Sequence, residues 1–467
     1  MKRTALIALG VALAAVAAAL LYTTLAREAE YRRLISEGEN ALASDRGFAA
    51  IEAFSGAIAL KPDAMLGYLR RGEAYRRRGV ADLHTALRDL RMATDLDPTA
   101  LKPLEEVGDV NFALDRFARA AETYNAYLKL DDHSSTVWYR LAMSRFRLGD
   151  AGGATSALLQ AVALNDRFAE AFYLLGVCQG QMGQSTEAVK SLGRAVEFSP
   201  ALSQTFLAAR EELVRLFLVL RRDTDAIAEL EKLAAFEPAK SDPLIEAGVI
   251  YARLGRTDLA LAELNRAVER DPANPRVYQA VGRIWLDTAE GRPGDRRWAL
   301  NNALKALDQA ARAPDATSEG LTLYGRALVL AGDAAGAQQA FEQALQKTPI
   351  DATAYREVAS LAQRRGDLPV AHDALVRYLA LTTDSREAPA VAERLGDLSL
   401  RLDQPKEAVT WLRQAAETCD DDASTIGRVA TMQRRAGDRA GAAATVDRGL
   451  QKSPHSAPLL ALRSQLQ

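Results

Sequence analysis

The chain has 467 residues, of which 48% are hydrophobic, 26% charged and only 6% aromatic, and 59 Lys and Arg residues against 61 Asp and Glu residues leave a net charge of -2. This length exceeds what one hydrophobic core organises, since single cores stop growing at about 250–300 residues, and the balanced charge excludes a global attraction to nucleic acid or to an acidic surface. The two cysteines, Cys178 and Cys419, lie far apart, so they predict neither a disulfide framework nor a zinc site.

The N-terminal segment is an uncharged run from Thr4 to Ala26, preceded by Lys2 and Arg3. As a helix the run would extend roughly 35 Å, enough to cross a hydrocarbon core of about 30 Å. We therefore predict an uncleaved signal anchor, a transmembrane helix, over residues 1–30. The alternative is a secretory signal peptide that is cleaved after a small-x-small site such as Thr24-Leu25-Ala26. Under both interpretations the positive start stays in the cytoplasm and the rest of the chain lies outside the cytoplasmic membrane.

After this segment the chain repeats one helical hairpin, which is clearest in residues 241–274. Small and large apolar residues form two groups there. The first group recurs at i, i+3, i+4 and i+7 and consists of Leu244, Ala247, Gly248 and Tyr251. The second recurs at i, i+4 and i+7 and consists of Ala260, Leu264 and Ala267. Each group forms one face of a helix. Gly255 lies between the groups, where a left-handed residue can end the first helix. Pro272 follows the second group and stops it.

The same spacing predicts about twelve hairpins in tandem from residue 31 to residue 456. The second hairpin needs two extra residues at its inner turn, and the sixth has Arg210 and Val214 where an aromatic and a small residue are usual. The eighth carries an insertion of about nine residues around positions 290–295, which predicts a loop with Gly291 and Trp298 at its ends. Leu residues spaced along 457–467 predict a last amphipathic helix that caps the open end of the array.

These hairpins resemble the tetratricopeptide repeat (TPR), a helix–turn–helix unit of about 34 residues. The resemblance implies an all-α fold, a TPR α-solenoid in which antiparallel helix pairs form a right-handed superhelix, here with an N-terminal transmembrane helix. Arrays of this family act as scaffolds that bind peptides or helices in a concave groove lined by the first helix of each pair. The resemblance therefore implies a protein or peptide partner. The balanced charge predicts no nucleic-acid partner, and no small-molecule substrate is evident from the sequence.

No pattern in the sequence indicates catalysis. A phosphate-binding glycine loop, an H-E-x-x-H motif and a nucleophile elbow are all missing from the sequence. The four histidines fall in different hairpins and near no cysteine pair, at His84, His133, His372 and His455. We therefore predict that the protein is not an enzyme and uses no cofactor or metal ion.

A candidate partner-binding surface lies in the third to fifth hairpins. By its place in the repeat each of six side chains should point into the groove: Phe112, Tyr139, Met143, Phe146, Tyr173 and Val177. Aromatic and Met side chains exposed on a concave surface suit a partner helix or strand. The alternative is that these residues pack between first helices as part of the core.

The function that these features favour is a membrane-anchored TPR scaffold on the extracytoplasmic (periplasmic) side of a bacterial envelope. Such a scaffold would serve in the assembly of an envelope or secretion complex. One alternative is a secreted soluble TPR protein whose signal peptide has been cleaved. The other is a non-catalytic regulatory subunit of an enzyme complex.

Overall fold

The computed structural model describes residues 2–291, 296–382, 386–418 and 422–466, and the side chains of all of these except 2–12 and 418. The described residues form α-helices joined by short turns, with no β-strand among them. Two compact units divide the chain, Met1–Phe236 and Glu237–Gln467. In each unit every helix packs against the next one along the chain.

From residue 2 onward, the first unit contains six helix pairs. Its helices are α1 (Lys2–Ala43), α2 (Gly47–Leu60), α3 (Met65–Arg78), α4 (Leu83–Leu96), α5 (Leu101–Ala113), α6 (Phe117–Leu130), α7 (Ser135–Arg147), α8 (Ala151–Leu164), α9 (Ala169–Gln181), α10 (Ser185–Phe198), α11 (Gln204–Val219) and α12 (Asp223–Phe236).

The described residues of the second unit form six further pairs and a last single helix. Its helices are α13 (Asp242–Arg253), α14 (Thr257–Arg270), α15 (Pro275–Gly291), α16 (Arg296–Arg312), α17 (Ser318–Ala331), α18 (Ala334–Ala344), α19 (Thr353–Arg365), α20 (Leu368–Leu381), α21 (Ala388–Arg401), α22 (Pro405–Thr418), α23 (Ala423–Arg435), α24 (Arg439–Lys452) and α25 (Ala457–Leu466).

Glycine at the middle of the first helix lets the two helices of a pair approach closely. A Cβ atom on Gly248 would lie 2.8 Å from Cγ of Leu264 in the facing helix. Leu264 is fully buried, as are Ala260 and Ala267 on the same face. Gly255 has a φ of +74° and ends α13, which confirms the turn read from the sequence.

Two irregular hairpins keep the same packing by local adjustments. In the second, a 3₁₀ turn at Val80–Asp82 holds the extra residues between α3 and α4. In the sixth, the guanidinium of Arg210 lies 4.5 Å from the ring centroid of Phe206 and 5.4 Å from that of Phe236, and it pairs with Glu229. The arginine thus packs on aromatic rings in place of the usual aromatic side chain.

The eighth hairpin differs from the loop predicted around 290–298. Helices α15 and α16 have 17 residues each, against the 14 of α14, so both Gly291 and Trp298 are helical. Only 292–295, which lie outside the described residues, separate the two helices. Trp298 packs edge to face on Trp285, with ring centroids 4.6 Å apart. The predicted loop was therefore too long, since most of the inserted residues extend the helix pair.

Helix α1 runs for 42 residues through the predicted anchor and into the first hairpin, so no helix end marks residue 30. Its side chains at Leu13, Val16, Leu20, Leu21 and Leu25 are each more than half exposed. Within the described part of the chain, none of the helices combines the length and the apolar character that a bilayer crossing requires. The predicted anchor also includes residues 1–12, whose side chains lie outside that description.

Helix α25 covers the end of the last pair. Leu459 and Leu462 are buried there in one cluster with Ile426, Val446 and Leu450. Helix α25 contacts both α23 and α24, and α23 also contacts α21. The last helix therefore stands where the first helix of a further pair would be.

Candidate functional site

The first helices of successive pairs lie side by side. The sequence analysis predicted that a partner binds to the face that these helices share. Contacts of this kind join α3 to α5, α7 to α9 and α9 to α11 in the first unit, and α21 to α23 and α23 to α25 in the second. Two stretches of this face differ in chemistry. We call them the α5–α9 patch, formed by the six predicted residues, and the α21–α25 groove, defined below.

All six residues of the α5–α9 patch are partly buried. Phe112, Tyr139, Met143 and Phe146 pack against the hydrophobic core of these helices. The ring of Tyr139 lies 5.0 Å from that of Phe168, centroid to centroid. Burial raises the pKa of Tyr139, and the nearby carboxylate of Glu170 adds to the shift. The structure thus brings four of the six residues into contact with the core, and their role in binding stays a prediction.

The other two patch residues are less involved in the core. Tyr173 and Val177 are partly buried on α9. Burial raises the pKa of Tyr173, and the carboxylates of Glu212 and Glu211 raise it further. These acidic groups lie on α11, so the patch ends at an acidic edge.

Beside the patch, α5 carries a buried charge network that the sequence analysis did not predict. Glu106 is only 2% exposed and lies 2.9 Å from Nε of Arg76. Asp109 accepts a hydrogen bond of 2.7 Å from the Tyr124 hydroxyl and pairs with Arg140 at 3.0 Å. Burial raises the pKa of Asp109 although the tyrosine and the arginine oppose the shift. These charges have partners within the chain, so the network joins repeats rather than presenting free charge to a ligand.

The α21–α25 groove is a cavity of about 850 Å³ in the second unit. Small or apolar residues of the three first-type helices line it, and we call these its floor: Ala390, Ala423, Gly427, Met432, Pro458, Ala461 and Leu462. Polar and charged residues also line it, and we call these its walls: Glu393, Arg394, Asp397, Ser424, Arg428, Thr431 and Gln465. Aromatic residues, which predicted the α5–α9 patch, do not indicate this groove. Small residues at solvent-facing places of α21, α23 and α25 were the available signal.

Small side chains keep the groove open. A Cβ atom on Gly427 would meet only Cδ2 of Leu459, at 3.8 Å, which is an ordinary contact distance. At the rim, Arg428 pairs with Glu393 at 3.0 Å, and Arg434 donates a hydrogen bond of 2.7 Å to Gln465. The groove therefore has a fixed rim and an apolar floor that the chain does not fill itself.

One group of possible metal ligands occurs among the described residues, at Asp131, Asp132 and His133. All three sit in the turn before α7, where Asp131 accepts a hydrogen bond from the His133 backbone N–H at 3.0 Å. Asp132 and His133 are exposed. The geometry of the turn explains this cluster, and the prediction that the protein binds no metal ion remains untested.

Two family models of the tetratricopeptide repeat match the chain, one over residues 223–284 and the other over residues 139–203 and 356–423. The chain is a tetratricopeptide repeat protein. The helix pairs and the family match together confirm the all-α solenoid of TPR pairs that the resemblance implied.

Two curated relatives match parts of this TPR protein. It is 27% identical over 128 residues to the small glutamine-rich tetratricopeptide repeat-containing protein 2 of Mycosarcoma maydis, which covers 27% of this chain and 36% of that protein. It is 25% identical over 201 residues to the BBSome complex member BBS4 of Bos taurus, covering 43% and 38% of the two chains. The matches thus span little more than a third of the length of these relatives.

Among solved structures, yeast Tom70 is similar over 94% of this TPR protein and 99% of its own chain, with 15% identity and a TM-score of 0.41. At this identity the likeness is one of fold alone.

Proposed function

We propose that this TPR protein is a scaffold that captures a segment of a partner protein on the face of its first helices, chiefly in the α21–α25 groove. The open cavity of about 850 Å³ carries the proposal. Binding sites for small ligands typically measure about 300–1,000 Å³, so the groove has room for several side chains of a bound segment. At the α5–α9 patch, by contrast, four of the predicted residues pack on the core.

The composition of the groove suits a protein segment. Ala390, Gly427 and Ala461 let another backbone approach closely, while Met432 and Leu462 offer apolar contact. An amphipathic helix laid in such a groove buries its apolar face and keeps its polar face in solvent. The absence of catalytic motifs from the sequence favours a binding role, and the non-enzymatic regulatory subunit remains the alternative.

Site-specific photocrosslinking tests the groove. A benzoylphenylalanine at Ser424, which is exposed on the groove wall, should crosslink one partner in cells. The same residue at Ala444, exposed on α24 outside the groove, is the matched control, and Tyr173 reports on the α5–α9 patch. Equal yields from Ser424 and Ala444 would refute the groove as the binding surface. A partner captured only from Tyr173 would place binding on the patch.

We also infer that the N-terminal helix anchors the scaffold in the cytoplasmic membrane, with the repeats outside the cytoplasm in an envelope or secretion complex. The uncharged run Thr4 to Ala26 supports this inference, as do the exposed apolar side chains of α1. The base of α1 is held to the first hairpin, because Lys61 pairs with Glu28 and lies 4.9 Å from the ring centroid of Tyr31. The repeats would thus begin directly at the membrane.

Two measurements separate anchoring from secretion. An enzyme reporter that is active only outside the cytoplasm should be active when fused after Gln467, since Lys2 and Arg3 hold the start inside. N-terminal sequencing of the mature protein should then find Met1 or Lys2. A sequence that begins near Arg27 would identify the cleaved, secreted alternative, and activity of a cytoplasm-only reporter would reverse the orientation.

A further inference from the structure

Arginines on the first helices pair with carboxylates of the neighbouring repeat. In the first unit, Arg70 pairs with Glu39 at 3.0 Å and Arg140 with Glu105 at 2.6 Å. In the second unit the same arrangement joins Arg326 to Glu290 at 2.8 Å, Arg356 to Glu387 at 2.9 Å and Arg428 to Glu393 at 3.0 Å. In each of these five pairs the guanidinium meets an opposite charge supplied by the chain.

Arg394 on α21 departs from this rule. Its Nε donates to Oε1 of Gln363 at 2.9 Å, and its Nη2 donates to Oγ of Ser360 at 3.3 Å. Both acceptors are neutral, and no carboxylate of the described residues lies within ion-pair distance of this guanidinium. The side chain is partly buried. Burial lowers the pKa of Arg394, with only a partial offset from the more distant Glu357.

The unpaired guanidinium lines the α21–α25 groove. Ala390 and Asp397, which also line it, lie one turn before and one turn after Arg394 on the same face of α21. At the rim, Arg428 and Glu393 compensate each other. Arg394 is thus the positive group of the groove wall that lacks an ionic partner, placed beside the apolar floor.

We propose that Arg394 binds the carboxylate of an acidic side chain that the partner presents between apolar residues. The proposal rests on the groove being the partner site. The Nη1 atom of Arg394 makes no hydrogen bond to a described residue, so the two N–H groups on this atom remain to donate to a carboxylate oxygen. The folded chain already bears the cost of partly desolvating this charge, so an incoming carboxylate gains the pairing energy that the chain itself does not supply.

Asp397 sets the direction of the bound segment. Its carboxylate lies one turn along α21 from Arg394 and repels a second acid there. A segment with its acidic residue at the Arg394 end and a basic or hydrogen-bond-donating residue at the Asp397 end matches both charges. A uniformly acidic segment does not.

Selection of a phage-displayed library of random peptides on the immobilised full chain tests the inference. Peptides selected on the wild type should share Asp or Glu at one position, flanked by apolar residues. Arg394→Gln should weaken the binding of these peptides at least about tenfold. A selection on the Arg394→Gln variant itself should not enrich Asp or Glu. Arg394→Glu should select Lys or Arg at that position. Arg394→Lys, which retains the charge without the planar fork, should bind with intermediate affinity.

Two controls separate this inference from the function on which it rests. Arg356→Gln removes an equivalent first-helix arginine that pairs with Glu387 outside the groove, and it should change peptide affinity less than about twofold. Gly427→Trp should fill the groove and abolish binding. Peptides blocked by Gly427→Trp but bound equally by Arg394→Gln would overturn acid recognition and leave the groove as the site. Peptides unaffected by Gly427→Trp would overturn the groove and the inference together. Helicity and melting of each variant establish that it is folded.

Discussion

Replacing Gly248 by alanine should destabilise the second unit, although alanine is the better helix former. The added Cβ atom would lie 2.8 Å from Cγ of Leu264 and 3.1 Å from the carbonyl oxygen of Ala260. Leu264 and Ala260 are fully buried, and neither the branch carbon nor the backbone oxygen can swing away. An extra methylene in a packed core costs about 1–3 kcal/mol. Alanine recovers about 1 kcal/mol of helix propensity, so we expect a net loss of up to about 2 kcal/mol.

Gly427→Ala is the matched control in the same unit. Gly427 is also inside a first helix, but its Cβ atom would meet only Cδ2 of Leu459 at 3.8 Å. With no collision, this substitution should stabilise the protein by about 0.5–1 kcal/mol. The same chemical change is thus expected to have opposite signs at the two glycines.

Denaturant unfolding followed by far-ultraviolet circular dichroism measures both variants. Because repeat arrays can unfold in parts, amide hydrogen exchange on α13 and α14 should locate the loss in the Gly248 variant. A Gly248→Ala protein as stable as Gly427→Ala would refute the argument that glycine is needed there for close approach. A loss of exchange protection spread evenly over both units would refute its local origin.

Three further outcomes are expected. Deletion of residues 457–467 uncovers Ile426 and Val446, so limited proteolysis should cut α23 and α24 faster than in the full chain; unchanged resistance would show that α25 is not a cap. Tyr139→Glu should lower the melting temperature more than Tyr173→Glu, because only Tyr139 packs on the core cluster; equal losses would contradict that difference. Asp438 caps α24 through the Gly441 N–H and pairs with Arg413 at 2.8 Å, which lowers its pKa. A carboxylate whose pKa is lowered in the folded state stabilises the protein at pH values above its unfolded-state pKa of about 3.9. This contribution is lost as the pH falls through the folded-state pKa. Asp438→Ala should therefore cost about 1–2 kcal/mol at neutral pH, and the denaturation curves of variant and wild type should converge once the pH falls below the lowered folded-state pKa of Asp438.

The α5–α9 patch and the α21–α25 groove show how much of a binding site can be predicted from the sequence. Repeat position correctly assigned Phe112, Tyr139 and their neighbours to the first helices. It did not determine exposure, because the burial of Tyr139 depends on Phe168, 29 positions further along the chain. The sequence did not predict the groove, because it is lined largely by small side chains. Whether small side chains leave a cavity depends on the residues that surround them.

The helix pairs themselves were determined by the sequence alone. Their signals are local: apolar residues on one helix face, a glycine opposite a leucine, and a turn residue such as Gly255 with its positive φ. Only the tertiary structure decided that Gly291 belongs to α15 and Trp298 to α16, since Gly291 and Pro293 in the sequence indicate a turn without giving its length. It also decided that Arg394 faces Gln363 where its counterparts face a carboxylate. Such pairings join positions some 30 residues apart, and they depend on how adjacent repeats stack rather than on the spacing within either one.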